Sequence, residues 1–287
     1  MTFLDEAHTL DHWKIDRSNP YLERLQFGGM MACREAGYHL LFELLNAEAE
    51  NAEAILSSTL SALNPDGAIL TPPISDNRKI LEILVRMGTP FARLSATQND
   101  VACLSITMDE RAGAHEATMH LTGLGHKRIG FIAGTPGLTS SRARQDGYID
   151  AMRESDVPVD PTTMLESEYT YEGGKASGRA LLSLSKPPTA IFAANDEMAL
   201  GVIHAASELG VEIPRDLSIV GFCDFPASRY SQPTLTTVRQ PVGDMAAQAA
   251  QRLIAHAAAK TTQELNATLA ISHAFVVRNS TSRPKES

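Results

Sequence analysis

Ile191-Phe192-Ala193-Ala194-Asn195-Asp196-Glu197-Met198-Ala199-Leu200-Gly201 joins a short apolar run to a helical one through an Asn-Asp pair. The apolar run reads as a buried strand. A helix is predicted to begin at once, because Asn or Asp at that junction can accept a hydrogen bond from an orphan N–H of the first turn. In an open α/β sheet such a junction lies at the carboxyl end of a strand, where ligands bind. Leu217-Ser218-Ile219-Val220-Gly221-Phe222 repeats the pattern and ends at Cys223-Asp224. Two polar strand ends so close in sequence point to one ligand cleft.

Working outward, helix and strand signals alternate along most of the chain. Leu22, Leu25, Gly29, Ala32, Cys33 and Ala36 follow helical spacing after Pro20, and Gly37 suits a left-handed cap. A strand is predicted at Tyr38–Phe42, a helix over Ala47–Leu63, a strand at Ala68–Thr71, a helix at Lys79–Met87 and a strand at Pro90–Leu94. A second series runs from Asp109: a helix to Thr122, a strand at Arg128–Ala133, and helices over Ser141–Arg153, Glu172–Leu184 and Asp196–Leu209. Val242, Met245, Ala246, Ala249, Ala250 and Leu253 form a late helical stripe, and Ala274–Arg278 a late strand. Such alternation implies βαβ units and parallel sheets covered on both faces, in two lobes of similar design.

Size and charge narrow the function. The 287 residues suffice for one or two cores, domains holding about 100–150 residues each. A net charge of −9 disfavours polyanions such as nucleic acid, and the basic clusters Lys127-Arg128 and Arg142-x-Arg144 are slight. Cys33, Cys103 and Cys223 are odd in number and widely spaced, which suggests free thiols; Cys33 and Cys103 read as small core residues. No apolar run approaches the roughly 18 residues of a spanning helix, and the first residues have no signal-peptide pattern. A cytoplasmic protein without membrane association is expected.

Enzyme signatures are missing. There is no G-x-S-x-G elbow, Walker A loop or C-x-x-C pair, and Gly123-Leu124-Gly125 lacks a third glycine and follows a helix. His115, His120 and His126 do not fall on one helical face, so neither metal nor cofactor is expected. A recognition set stands out instead. Arg144, opening a helix after Thr139-Ser140-Ser141, either forks two hydrogen bonds to a carboxylate or paired hydroxyls or makes a surface or interlobe salt bridge. Tyr21 and Tyr169 suit stacking on a flat ligand or an ordinary core or rim position. Asn195 suits a neutral polyol, helix capping, or both, and Asp224 a ligand hydroxyl or an interlobe brace.

These segments together resemble the effector-binding region of LacI/GalR-family transcription regulators, over nearly everything from Asn19 to Thr281. Asn19-Pro20-Tyr21 with the helix to Gly37-Tyr38 is similar to the family's first turn and helix. Leu121 to Gly130 resembles its LGHrrI segment, and Arg144-Gln145-Asp146-Gly147-Tyr148 its R-x-x-G-[FYW] motif. Pro188–Asp196, Pro214–Phe222 and above all Pro233-Thr234-Leu235-Thr236-Thr237-Val238-Arg239-Gln240-Pro241 extend the match.

The resemblance implies a periplasmic-binding-protein-like α/β fold: two doubly wound parallel-sheet lobes joined by three crossovers, with a small ligand between them. The lobes would take 1–107 plus 240–269 and 108–239 plus 270–287. It implies a homodimer whose effector, a mono- or disaccharide, controls operator DNA through a helix-turn-helix headpiece that has no counterpart in these residues. A free-standing solute-binding protein for sugar uptake is the alternative. Arg144, Asn195, Tyr21, Phe192, Tyr169 and Gln240 carry over as effector contacts, with Ser95 and Ser141 beside them. Arg144→Ala is expected to weaken binding without unfolding the chain. Two departures stand out. Where the family usually has two aspartates after G-[FY], this chain has Cys223-Asp224, so Asp224 compensates or the ligand differs. The segment Leu10–Arg17, where a first apolar strand is expected, is not apolar.

Overall fold

The computed structural model describes residues 1–6, 19–96, 101–259 and 265–285. The chain divides into two compact units, Met1–Met108 with Pro241–Ser272 and Asp109–Gln240 with His273–Ser287. It passes between them after Met108, Gln240 and Ser272.

The first unit is a six-stranded sheet in the order β11-β5-β4-β3-β1-β2, parallel throughout. Its strands are β1 (Thr2–Glu6), β2 (Leu41–Leu45), β3 (Ala68–Leu70), β4 (Phe91–Leu94), β5 (Leu104–Thr107) and β11 (Ala267–Ala270). Helices α1 (Pro20–Glu35), α2 (Ala52–Leu63), α3 (Arg78–Met87) and α8 (Val242–Ala259) accompany them. Phe3, Ile69, Leu70, Leu94, Leu104 and Ile106 are buried, as continuous apolar strands in a covered parallel sheet should be. Cys33 and Cys103 are buried free thiols.

Several boundaries differ from the sequence reading. The second strand begins at Leu41 rather than Tyr38, because pairing with β1 starts at Thr2 opposite Leu41 and Gly37, at φ 79°, uses the next residues to turn. Helix α2 begins at Ala52 rather than Ala47; Asn46 instead holds a turn by accepting from the Glu48 N–H. The first strand is Thr2–Glu6, well ahead of Asn19, and it lies between β2 and β3. Leu10–Arg17, where the resemblance places that strand, lies outside the described residues.

The second unit repeats the plan in the order β12-β10-β9-β8-β6-β7. Strands β6 (Ile129–Ile132), β7 (Met164–Leu165), β8 (Ala190–Ala193), β9 (Ser218–Cys223) and β10 (Thr236–Arg239) are parallel. The edge strand β12 (Ala274–Val276) runs antiparallel to β10. The helices are α4 (Glu110–Gly123), α5 (Thr139–Glu154), α6 (Tyr171–Leu182) and α7 (Asp196–Glu208). His126 is buried between element ends, its ring bonded to Thr189 Oγ1, Ser218 Oγ and the Ser282 carbonyl, so its place is structural. Burial holds its pKa below the ordinary imidazole value.

Asp196 pins β9, β10 and α7 together. Its carboxyl accepts from Thr237 Oγ1 and from the Phe225 N–H, both at 2.6 Å, with no exposure. Burial pushes its pKa up to about 7 against those hydrogen bonds. The native state then holds a proton, between roughly pH 4 and the folded pKa, that the unfolded chain has released, so this group's contribution to stability falls as pH rises through that window. Asp196→Asn, shaped like the protonated acid, removes the dependence. Urea unfolding should show the variant gaining about 2–3 kcal/mol on wild type between about pH 5 and about pH 8. A constant difference would mean the acid is ionised throughout.

Candidate functional site

The carboxyl ends of β8, β9 and β10 bring together residues far apart in sequence. Arg144, in the second turn of α5, is 4% exposed, although five of its neighbours in sequence are polar or charged. Its Nε donates to Glu110 Oε2 at 2.8 Å and one terminal nitrogen to the Ala194 carbonyl, just past β8, at 2.5 Å. The guanidinium carbon lies 3.8 Å from the Phe222 ring centroid and 5.6 Å from that of Tyr169, distances at which ring faces attract a cation. Burial opposes its charge, but the Glu110 carboxylate more than offsets this, and the pKa is raised. The network continues from Glu110 Oε1, which accepts from Gln240 Nε2 at 2.7 Å, to Gln240 Oε1, which accepts from the Cys223 thiol at 3.5 Å.

The R-x-x-G-Tyr spacing has a physical reading here. A Cβ on Gly147 would lie 2.2 Å from the Arg111 carbonyl oxygen, so α5 rests on the first turn of α4 at a distance only glycine permits. That contact carries Arg144 to Glu110, the first residue of α4. One position on, Tyr148 stacks on Phe131 and donates to the Ile129 carbonyl at 2.8 Å, anchoring α5 to β6.

Tyr169 and Asn195 form the second feature. Asn195 caps α7, its Oδ1 accepting from the Met198 N–H, while its Nδ2 donates to the Tyr169 carbonyl, each at 2.8 Å. Tyr169 is held at φ 59°, its ring lying where a Cβ on Gly134 would be. Its hydroxyl is buried beside the Ser140 side chain and makes no hydrogen bond of full geometry among the described residues. Burial raises its pKa, partly countered by Arg144.

Other expected residues fall elsewhere. Phe192 is wholly buried, edge-on to Phe131, and has no surface to offer an effector. Asp224, also unexposed, accepts from Arg239 at 2.7 Å and from Arg278, Arg229 and Ser228. Burial raises its pKa, but the hydrogen bonds from Arg278 and Arg239 win and hold it low. Through these partners it braces its own unit. Arg144 does not open its helix, which starts at Thr139, and its ion pair is buried within one unit rather than at a surface. Ser141 is buried in the first turn of α5. In the first unit, Tyr21 is half-buried in the first turn of α1, and Ser95 follows β4 at φ 52°, its hydroxyl buried without a partner among the described residues. Glu110 and the Phe222 ring were not anticipated; the sole hint was an acid beside the helix-capping Asp109.

Residues 118–281 match the family model described as periplasmic binding protein-like domain. The chain is 28% identical to the ribose operon repressor of Haemophilus influenzae over 275 residues, 96% of this chain and 81% of that protein. It is 32% identical over 235 residues to the HTH-type transcriptional regulator DegA of Bacillus subtilis, covering 81% of this chain and 69% of DegA. Its fold matches the transcriptional regulator CelR–cellobiose complex with a TM-score of 0.83 at 24% identity, over 97% of this chain and 84% of CelR. The chain belongs to the LacI family of transcription regulators and is their effector-binding, periplasmic-binding-protein-like region. Its relatives are transcription regulators, not enzymes. No helix among the described residues is long and apolar enough to cross a membrane.

Two variants probe this site. Gly147→Ala pushes α5 off α4 and should cost about 1–3 kcal/mol despite the roughly 1 kcal/mol a helical alanine otherwise contributes, read from the urea midpoint. A stabilised variant would remove the close contact. Arg144→Ala, which the sequence alone presents as harmless to folding, strands the buried Glu110 charge and should cost about 3–5 kcal/mol in the same assay.

Proposed function

We propose that this chain senses a neutral mono- or disaccharide at the carboxyl end of the second unit's sheet. In the complete regulator, acting as a cytoplasmic homodimer, the effector would control operator binding by a helix-turn-helix headpiece. It does so by binding one conformational state of the protein more tightly than another, since equal affinity shifts nothing. The observation that carries this reading is the hydrogen-bonded chain Ala194–Arg144–Glu110–Gln240–Cys223 beside the buried Tyr169 hydroxyl, which has Ser140 near it but makes no well-formed hydrogen bond among the described residues. A buried hydroxyl short of a good hydrogen bond costs stability, and a water or a ligand that completes its bonding is favoured there. Carboxylate, guanidinium, amide and phenol together offer donors and acceptors suited to sugar hydroxyls. Its similarity to a ribose operon repressor and to a regulator in complex with cellobiose favours the same ligand class.

A thermal-shift screen against ribose, cellobiose, other neutral sugars and purines tests the ligand class. A sugar at a hundred times its Kd should stabilise the chain by about 2.7 kcal/mol. Tyr169→Phe should keep or raise the Tm of the free protein and weaken that sugar about tenfold. A response to purines alone would replace the ligand class, and an unchanged affinity would take Tyr169 out of the site.

The homodimer rests on exposed apolar side chains. Phe27, Met30 and Met31 lie on α1 and Leu41, Phe42 and Leu44 on the edge strand β2. Exposed large apolar side chains gathered on one helix, as on α1, mark association sites. Phe27→Glu combined with Met31→Glu should convert a dimer to a monomer in sedimentation velocity at micromolar protein; a dimer unmoved by both changes would locate the interface elsewhere.

A further inference from the structure

Glu110 has no task in holding its own helix. The cap of α4 is Asp109, whose Oδ1 accepts from the Ala112 N–H at 2.8 Å. Glu110 instead turns inward, its side chain 9% exposed, and gives one oxygen to Arg144 and the other to Gln240. The neighbouring arginines do not add charge to this network, because Arg229, Arg239 and Arg278 gather around Asp224. Among the described residues, the Arg144–Glu110–Gln240–Cys223 network therefore pairs one buried cation with one buried anion.

We infer that Glu110 is the specificity-determining residue of the effector site: by pairing with Arg144 it selects an uncharged polyhydroxylated effector and rejects one that carries a carboxylate or a phosphate. The inference deepens the sugar-sensing reading and rests on it. A guanidinium recognises a carboxylate best through two parallel N–H groups. Here Nε and one terminal nitrogen are already committed, to Glu110 and to the Ala194 carbonyl. An anionic ligand reaching for what remains of Arg144 would also meet the Glu110 carboxylate, a repulsive element of the sort that specificity requires. A hydroxyl meets no such conflict. It can donate to a further lone pair on Glu110 and accept from a remaining guanidinium N–H, since a carboxylate has about four acceptor sites and a guanidinium five donors.

The test compares each neutral sugar of a panel with its own uronate and its phosphate ester, together with inorganic phosphate. Binding to wild type and to Glu110→Gln is measured by calorimetry and thermal shift at constant ionic strength. Wild type should bind a neutral sugar at least about tenfold more tightly than its charged counterparts, one charge-assisted hydrogen bond's worth of discrimination. In Glu110→Gln that ratio should fall about tenfold or more, and inorganic phosphate should now raise the Tm, because Arg144 is left uncompensated. Should the single variant not fold, Glu110→Gln combined with Arg144→Gln restores neutrality: the ratio should again fall, without the phosphate response. Wild type binding a uronate or phosphate ester as well as the neutral sugar overturns the inference and leaves the sensor reading standing, as does an unchanged ratio in the variant. Silence of the folded wild type across the whole panel overturns both.

Discussion

A guanidinium taken out of water must be given an anion and further acceptors, and burying Arg144 imposes that requirement on the second unit. Glu110 supplies the charge, the Ala194 carbonyl a second acceptor, and the Phe222 and Tyr169 rings the flanking faces. Each of these needs a different element. Glu110 reaches the arginine only because Gly147 lets α5 settle on the first turn of α4. Ala194 is there because parallel pairing aligns the ends of β6, β8 and β9. Gln240 arrives from the end of β10 and closes the second oxygen of Glu110. The sheet's parallel order and the helix-on-helix contact are therefore prerequisites of one ion pair.

Much of this architecture is legible before any coordinates. The apolar runs that end in Asn195-Asp196 and Cys223-Asp224 identify β8 and β9, and the R-x-x-G-Tyr motif identifies Arg144, Gly147 and Tyr148 as one device. What the chain does not reveal locally is depth and pairing. Arg144 sits in a polar stretch that does not tell a ligand contact from a salt bridge or show its depth; only α4, folded against it, makes it interior. Glu110 reads as an ordinary first-turn acid, since the helix dipole favours acids there whatever their further use. Asp224 reads as a ligand acceptor or an interlobe brace because the arginines that occupy it come from positions as distant as Arg278. The first strand, Thr2–Glu6, escapes notice because its five residues end in two acids and it stands apart from the Asn-Pro turn used to locate it. Strands as short as β7 offer too few residues for any periodicity to register.

Strain marks the same places. Tyr169 (φ 59°), Cys223 (φ 105°) and Asp224 (φ 54°) are non-glycine residues on the unfavourable side of φ, and Ser95 of the first unit, at 52°, is another. Such conformations cost of order 1–3 kcal/mol each and persist only where the surroundings over-determine them. The surroundings here are visible. The Asn195 amide holds the Tyr169 carbonyl, Asp196 holds the Phe225 N–H that follows Asp224, and Arg239 and Arg278 hold the Asp224 carboxylate. Asp224 thus stabilises the turn whose first residue, Cys223, reaches the Gln240–Glu110–Arg144 chain. A buried aspartate can set the site by fixing the backbone from which its neighbour projects. Rigidity of this kind bears on selectivity. In a network whose donors and acceptors are already committed and cannot swing away, a ligand hydroxyl must fit the lone pairs and N–H groups that remain, and a ligand charge finds no group free to move and answer it. The strained strand ends, the arginine-rich brace and the buried Arg144–Glu110 pair are in this sense one arrangement, in which stability given up in the backbone holds the polar groups where recognition needs them.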